Sequence, residues 1–331
     1  MKKSNVGMRW KGSAERRLLL KLYLSVSFLS IACTVRVLNT ISWVNTTGVS
    51  VLVTDPLPLF SRDNNSPLIA IVSCTKSTKT KPRKVADVIE RHLLPSIYKT
   101  ITQEDRAKYR VELILGYDHD DEFWRQEANH HLSPKSDKGA VIFNDHEPIP
   151  IHFLSIKKES DRIPFNELCR AAFEYGATYI VRVNDDSEFK SAGWITEATN
   201  ALASFSPPNV GVVGPDDLPL HQPFLTHDMV HAPTHYSIFD SYYPNEFDNY
   251  FVDNWISNVY GKERTRKLNG WEVFHHHKSF CEGSRCERYK PSYRQEALLE
   301  QLIIEGSDKV TRKLSEMTRA KLDMVEIDTQ Y

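Results

Sequence analysis

The chain carries almost no net charge: 42 Lys and Arg stand against 43 Asp and Glu, a formal charge of −1 over 331 residues. A nucleic-acid binder shows a basic surplus or a basic stripe, so that class is disfavoured. There is no Gly-x-Gly-x-x-Gly and no Gly-x-x-x-x-Gly-Lys-Ser/Thr, which sets aside dinucleotide folds and P-loop enzymes. Internal repeats and low-complexity tracts are missing as well, which excludes solenoids and arrays. Cysteine is scarce, with five in all: Cys33, Cys74, Cys169, Cys281 and Cys286. No second close pair complements Cys281 and Cys286, so a zinc cluster is not indicated. Cys74 and Cys169 lie in apolar surroundings and read as small core residues.

What is present fits an ordinary globular chain, 40% hydrophobic and 26% charged, long enough for one large domain or two small ones. Residues 1–17 hold Lys2, Lys3, Arg9, Lys11, Arg16 and Arg17 against the single acid Glu15. An apolar run follows over 18–35, broken by Lys21. Eighteen helical residues span roughly 27 Å, close to the thinner bilayers of the early secretory pathway. The basic flank stays cytosolic. The expectation is therefore a cytosolic tail over 1–17, a signal-anchor over 18–38 and a type II protein facing the lumen. A cleaved signal peptide is the rival reading, since Ser30, Ile31 and Ala32 make a passable cleavage site. Sequons at Asn45 and Asn64 fall in an aperiodic segment with Pro56 and Pro58, so 39–66 reads as a lumenal stem and both asparagines as glycosylation sites. In such an oxidising compartment, Cys281 and Cys286 form a plausible short-loop disulfide.

Beyond the stem the pattern alternates. Continuous apolar runs at 68–74, 110–116, 149–156, 179–183 and 210–213 predict buried strands. Helical spacing covers 84–103, with an interruption at Pro95, then 164–175, closed by Gly176, and 193–205. Strands that alternate with helices imply right-handed crossovers and a mainly parallel sheet over 67–290. The tail, 291–331, reads as a helical segment, with amphipathic stretches at 294–305 and 308–323.

Ligands of such sheets bind beyond the carboxyl ends of the strands. Polar clusters stand at three of those ends. One holds Ser73 and Thr75, a second Asp118, Asp120 and Asp121, and a third Asn184, Asp185, Asp186 and Glu188. Adjacent carboxylates repel unless something positive sits between them. A hard divalent cation does so while leaving open positions for phosphate oxygens. An ordinary surface turn is the bland alternative.

A buried strand that runs into Asn184, Asp185 and Asp186, after a helix containing Asn166, Glu167 and Arg170, resembles the DxD region of GT-A fold glycosyltransferases. The resemblance covers roughly 68–277, mostly as element order, and departs at Asn184, where many members carry an acid. It implies a GT-A-like, Rossmann-type α/β/α sandwich. It also implies a nucleotide-sugar donor, expected to be a UDP-sugar, a glycan or glycoconjugate acceptor, and manganese or magnesium as cofactor. By resemblance Asp186 is the metal ligand and Asp185 touches the donor. Ser73, Thr75 and Asp118 or Asp120 cradle the nucleoside, and Arg182 or Arg170 faces a phosphate. A late metal ligand would come from His275 or His277, since three consecutive histidines cannot all point one way in a strand. The base of an inverting reaction would be Asp253, at a helix start downstream, with Asp228, Asp216 and Asp217 in reserve. A simple N-cap is the alternative for Asp253. Aromatic residues 242–255 suit sugar rings or a core equally. The compartment implied is the Golgi or the ER membrane. An inactive lectin- or chaperone-like relative and a metal-dependent hydrolase are the competing functions.

Overall fold

In the structure, a computed structural model, residues 66–328 are described apart from 136–147, 158–161, 219–220, 249, 277–280, 283–284, 287 and 290–292. For 281–282, 285–286 and 321–328 only the backbone is described. The expected tail, the anchor and all of the stem but residue 66, with Asn45 and Asn64, lie outside the described residues, as does His277. Among the described residues no helix is long and apolar enough to cross a membrane.

Eight strands form one sheet in the order β3-β2-β1-β4-β7-β6-β8-β5. Their bounds are β1 Leu68–Thr75, β2 Arg110–Asp118, β3 Ile151–Ile156, β4 Ala177–Arg182, β5 Ser187–Phe189, β6 Val212–Leu218, β7 Asp228–His231 and β8 Thr265–His275. β1, β2, β3 and β4 run parallel to one another. β7 is antiparallel to both β4 and β6, β8 is parallel to β6, and β5 is antiparallel to β8. Six of the eight strands therefore run one way, the mainly parallel character that was expected, with β5 and β7 reversed.

The helices are α1 (Arg83–Val88), α2 (Leu94–Thr100), α3 (Gln103–Lys108), α4 (Phe165–Glu174), α5 (Trp194–Ala203), α6 (Ala232–Ile238), α7 (Val252–Val259) and α8 (Glu296–Asp328). Residue alternation along β1 shows why both faces need cover. Ile69 and Ile71 join a core with Ile89, Leu93, Ile97 and Trp194, whereas Leu68, Ala70 and Val72 join a second core with Leu168, Trp255 and Val310. Helices on both faces make a three-layer α/β/α sandwich, as expected.

Pro95 does not break its helix. It sits in the first turn of α2, directly after a π-helical turn at Ile89–Leu93. Proline lacks the N–H that an unbroken α-helix needs there, and the widened turn absorbs the mismatch. The tail is one continuous helix where two stretches were expected. Gly306 lies inside it, where a Cβ would stand 2.4 Å from Val259 Cγ2. The missing side chain lets α8 approach α7 closely, and Trp255 donates from its indole to the Leu302 carbonyl at 3.1 Å. Two further short strands, β9 (Cys281–Glu282) and β10 (Arg285–Cys286), pair antiparallel with Cys281 opposite Cys286. The side chains of both cysteines lie outside the described residues.

Candidate functional site

Because β5 and β7 run against the other six strands, their N-terminal ends lie beside the carboxyl ends of the rest. One edge of the sheet thus collects Thr75, Asp118, the turn at 184–186, Asp217, Asp228 and His275. Gly214 helps set this edge. A Cβ there would stand 2.3 Å from the His227 carbonyl oxygen. Its absence lets β6 approach the start of β7, where Thr226 donates to Asp217 at 2.7 Å.

At the edge's centre Asp185 and Asp186 are 2% and 3% exposed. Two adjacent buried carboxylates need positive charge nearby. Two groups supply it. His275 Nε2 lies 3.0 Å from Asp186 Oδ1, and Arg288 Nη1 lies 2.5 Å from Asp185 Oδ2. Burial raises the Asp186 carboxyl, but His275 and then Arg288 outweigh it and bring it down to about 2. Burial prevails at Asp185, whose carboxyl is raised despite Arg288. Burial would lower His275, yet Asp186 and Asp217 hold it above its ordinary value.

The Asp186–His275 pair suits a shared cation. Two ligand atoms about 2.1 Å from one octahedral ion, at right angles, lie about 3.0 Å apart. Asn184 Nδ2 stands 3.2 Å from the same His275 Nε2. Nε2 has one lone pair, so a donated Asn184 N–H, a proton shared with Asp186 and a bound cation are alternatives at this atom. Carboxylate with neutral imidazole is a manganese-type donor set.

Towards β1 and β2, Ser73 and Thr75 are wholly buried, and the Ser73 hydroxyl has no hydrogen-bond partner among the described residues. Asp118 is 1% exposed and lies 3.2 Å from Lys76 Nζ, while Tyr289 Oη donates to it at 3.5 Å. Asp120 is exposed in the turn beyond. Asp121, the last acid of that cluster, accepts from the backbone and side chain of Ser77 at 2.7 and 2.8 Å. It pins the loop after β1 to the loop after β2.

Arg182 is not placed to face a phosphate at the surface. It is 2% exposed and donates to Asp228 at 3.0 Å, to Tyr243 Oη at 2.7 Å, to the Thr226 carbonyl at 2.8 Å and to Asp253 at 2.5 Å. Arg170 donates to the Asp240 carbonyl and stacks over Tyr236. Asp228 is fully buried beneath hydrogen bonds from Tyr242 and Tyr243 at 2.6 and 2.7 Å, so it serves as the hub of a structural network. Asp253 is not the N-cap of α7. Phe251 holds that position with a φ of 68°, and Asp253 lies in the first turn. Its side chain is 33% exposed. Burial raises its carboxyl and Arg182 opposes the shift.

Asp216 sits at the surface beside His221 at 2.9 Å. His227 is buried and bonds Ser187 at 2.7 Å. Burial, then the charge of His275, lowers it well below its ordinary value, so it stays neutral. The aromatic run divides. Tyr242, Tyr243, Phe247 and Trp255 are core, while Tyr250 is 38% exposed and packs on Tyr293 at 4.6 Å. Arg288 and Tyr289 carried no signal in the sequence, since they follow a short segment with no periodicity.

No family model matches the sequence, and no curated protein matches it. Solved structures align with it at low identity. TarS of S. aureus in complex with UDP-GlcNAc aligns over 72% of this chain and 66% of its own, with 11% identity and a TM-score of 0.43. TarS in complex with UDP gives 9% identity and a TM-score of 0.40, and this chain spans 64% of its length and 72% of its own. The mannosyltransferase PcManGT of Pyrobaculum calidifontis, in complex with GDP-Man and Mn2+, aligns over 94% of this chain and 91% of its own, with 14% identity and a TM-score of 0.41.

Proposed function

We infer that this chain is a metal-dependent glycosyltransferase. It moves a sugar from a nucleotide-sugar, a UDP-sugar as the expected donor, to a hydroxyl of a glycan or glycoconjugate. The observation that carries this reading is the Asp186–His275 pair at 3.0 Å. In the sheet its histidine closes β8 and its aspartate precedes β5, while Asp118 closes β2 on the other side of β1 and β4. The chemistry is a single inverting displacement. The bond from the anomeric carbon to the diphosphate breaks, the bond to the acceptor oxygen forms, and the acceptor proton passes to Asp253. Arg182 orients Asp253 and favours its ionised form, so that it can take that proton. Asp186 and His275, with Asp185 beside them, would hold a manganese or magnesium ion, whose charge would stabilise a departing diphosphate. Ser73, Thr75 and Asp118 hold the nucleoside.

By this reading residues 18–38 anchor the protein in the Golgi or ER membrane and the described domain faces the lumen. The support is the basic flank of residues 1–17 and the two sequons.

One observation favours a second reading. Arg288 already gives Asp185 a positive partner at 2.5 Å, the charge that a metal would supply. A catalytically inactive lumenal relative would keep that pair for good. The two readings separate in a transfer assay with UDP-hexoses, GDP-mannose and Mn2+, with and without glycan acceptors. Glycosyltransferase activity predicts metal-dependent product with at least one donor, lost in Asp253→Asn. No transfer and no donor hydrolysis by the wild type and by Arg288→Gln would support the inactive relative. Hydrolysis of simple esters without nucleotide would support a hydrolase.

A further inference from the structure

Three side chains beside the acidic turn converge from three elements. His92 comes from the π-helical turn at Ile89–Leu93, Glu188 from β5, and His276 from the residue after β8. Ligand atoms of the three all lie within 4.8 Å of one another. His276 Nε2 is 2.8 Å from Glu188 Oε2, and the His92 and His276 rings stack at 3.8 Å between centroids, 20° apart.

The geometry points to a second metal site at this corner, of the zinc class, with His92, Glu188 and His276 as ligands and a fourth position open to water. Two imidazoles and one carboxylate are a zinc donor set. Tetrahedral ligands about 2.05 Å from an ion lie about 3.3 Å apart. The widest of the present separations must close by at most about 1.5 Å, and the 2.8 Å pair must open by about 0.5 Å. Rotation about side-chain bonds covers both, with the stacked rings tilting apart to aim their nitrogens at one point. The register helps. Glu188 pairs with Phe274 across β5 and β8, which makes His276 its diagonal neighbour. Lys190 Nζ lies 2.6 Å from Glu188 Oε1 and leaves Oε2 to the site. The π-turn is the irregularity that helices show at functional positions.

An ion here would act on the acidic turn without touching a donor. The His276 N–H donates to the Asp186 carbonyl at 2.9 Å. Fixing the His276 ring therefore fixes the chain one residue from His275 and braces it against Asp186. The inference stands whether or not the protein transfers sugar.

The test is zinc titration of the full chain after chelator stripping, by calorimetry and by thermal melting. The expected result is a zinc site that raises the melting temperature and survives Asp186→Asn. His92→Gln and Glu188→Gln should each weaken it about tenfold or more, since loss of even an outer-shell partner costs that much. Both variants should melt like the wild type in the presence of chelator, which separates loss of a ligand from loss of fold. Cobalt-loaded protein should show the intense visible bands of a four- or five-coordinate ion, absent in His92→Gln. Zinc affinity unchanged in both His92→Gln and Glu188→Gln, or lost in Asp186→Asn alone, would overturn the proposal. So would a purely six-coordinate cobalt spectrum.

Discussion

Replacing Arg182 by methionine removes one guanidinium and leaves a buried acid behind. Methionine keeps much of the volume, so the loss is electrical. Asp228, at 0% exposure, would keep its two tyrosine hydroxyls but lose bonds from Arg182 at 2.8 and 3.0 Å. The Thr226 carbonyl would lose its partner, at about 1 kcal/mol. A carboxylate stripped of its counter-charge escapes by taking up a proton. From the ordinary carboxylate value near 4, that costs about 4 kcal/mol at pH 7 and about 1.5 kcal/mol at pH 5. The variant should thus be about 5 kcal/mol less stable than the wild type at pH 7, in line with other broken buried pairs. About half of that deficit should vanish by pH 5. Urea unfolding of both proteins at the two pH values measures it. Adding Asp228→Asn to Arg182→Met should restore most of the loss at pH 7. A deficit below about 1 kcal/mol, or one that does not change with pH, would refute the view that Arg182 is there to neutralise Asp228.

Other consequences follow from single contacts. His235 is wholly buried, bonded to Tyr260 Oη at 2.8 Å and to the Tyr242 carbonyl at 3.0 Å, and burial depresses it to about 4. The unfolded chain takes up this proton near pH 6.5 and the folded chain only near 4. Its stability contribution is therefore intact above pH 6.5 and falls by up to about 3 kcal/mol as pH drops towards 4. His235→Gln should flatten that part of the stability–pH curve, and an unchanged slope would count against the buried neutral imidazole. Gly306→Leu should cost about 2 kcal/mol through overpacking against Val259 and Trp255, while Gly306→Leu with Val259→Ala should recover part of it in thermal melts. The topology is checked by expression in a secretory system: Asn45→Gln and Asn64→Gln should each remove one glycosidase-sensitive gel shift, and a chain that never acquires glycans would exclude a lumenal stem.

The legible part of the fold was the part buried on both sides. β1, β2 and β4 are continuous apolar runs because helices cover both faces, and continuous runs are easily read. β8 was invisible for the opposite reason. It is an uneven strand whose pairing with β6 shifts register between Pro215 and Asp216, so Asn269 and Gly270 interrupt the alternation. β5 has three residues and β7 four, too short for any period. Missing those three hid the reversal of β7, which brings His227 and Asp228 to the same edge as the carboxyl ends of the parallel strands. At the site, the adjacent acids and the late histidine were readable as residue types with a chemical need. Which way Arg182 points was not. A strand residue followed by an acidic turn has the same letters whether it faces a ligand or a buried acid twenty places or more downstream. Arg288 was beyond reach for a similar reason, because its partner Asp185 lies 103 positions earlier.

The central claim is that the acidic edge binds a nucleoside diphosphate through a divalent ion on Asp186 and His275. Calorimetric titration of the full chain with UDP and with GDP, with and without Mn2+, tests it most directly. One of them should bind in a way that requires the ion, falls about 100-fold or more in Asp186→Asn (about 2.7 kcal/mol), and persists in Asp253→Asn. Binding that is indifferent to both manganese and Asp186→Asn, or no binding of either nucleotide under any of these conditions, would contradict it.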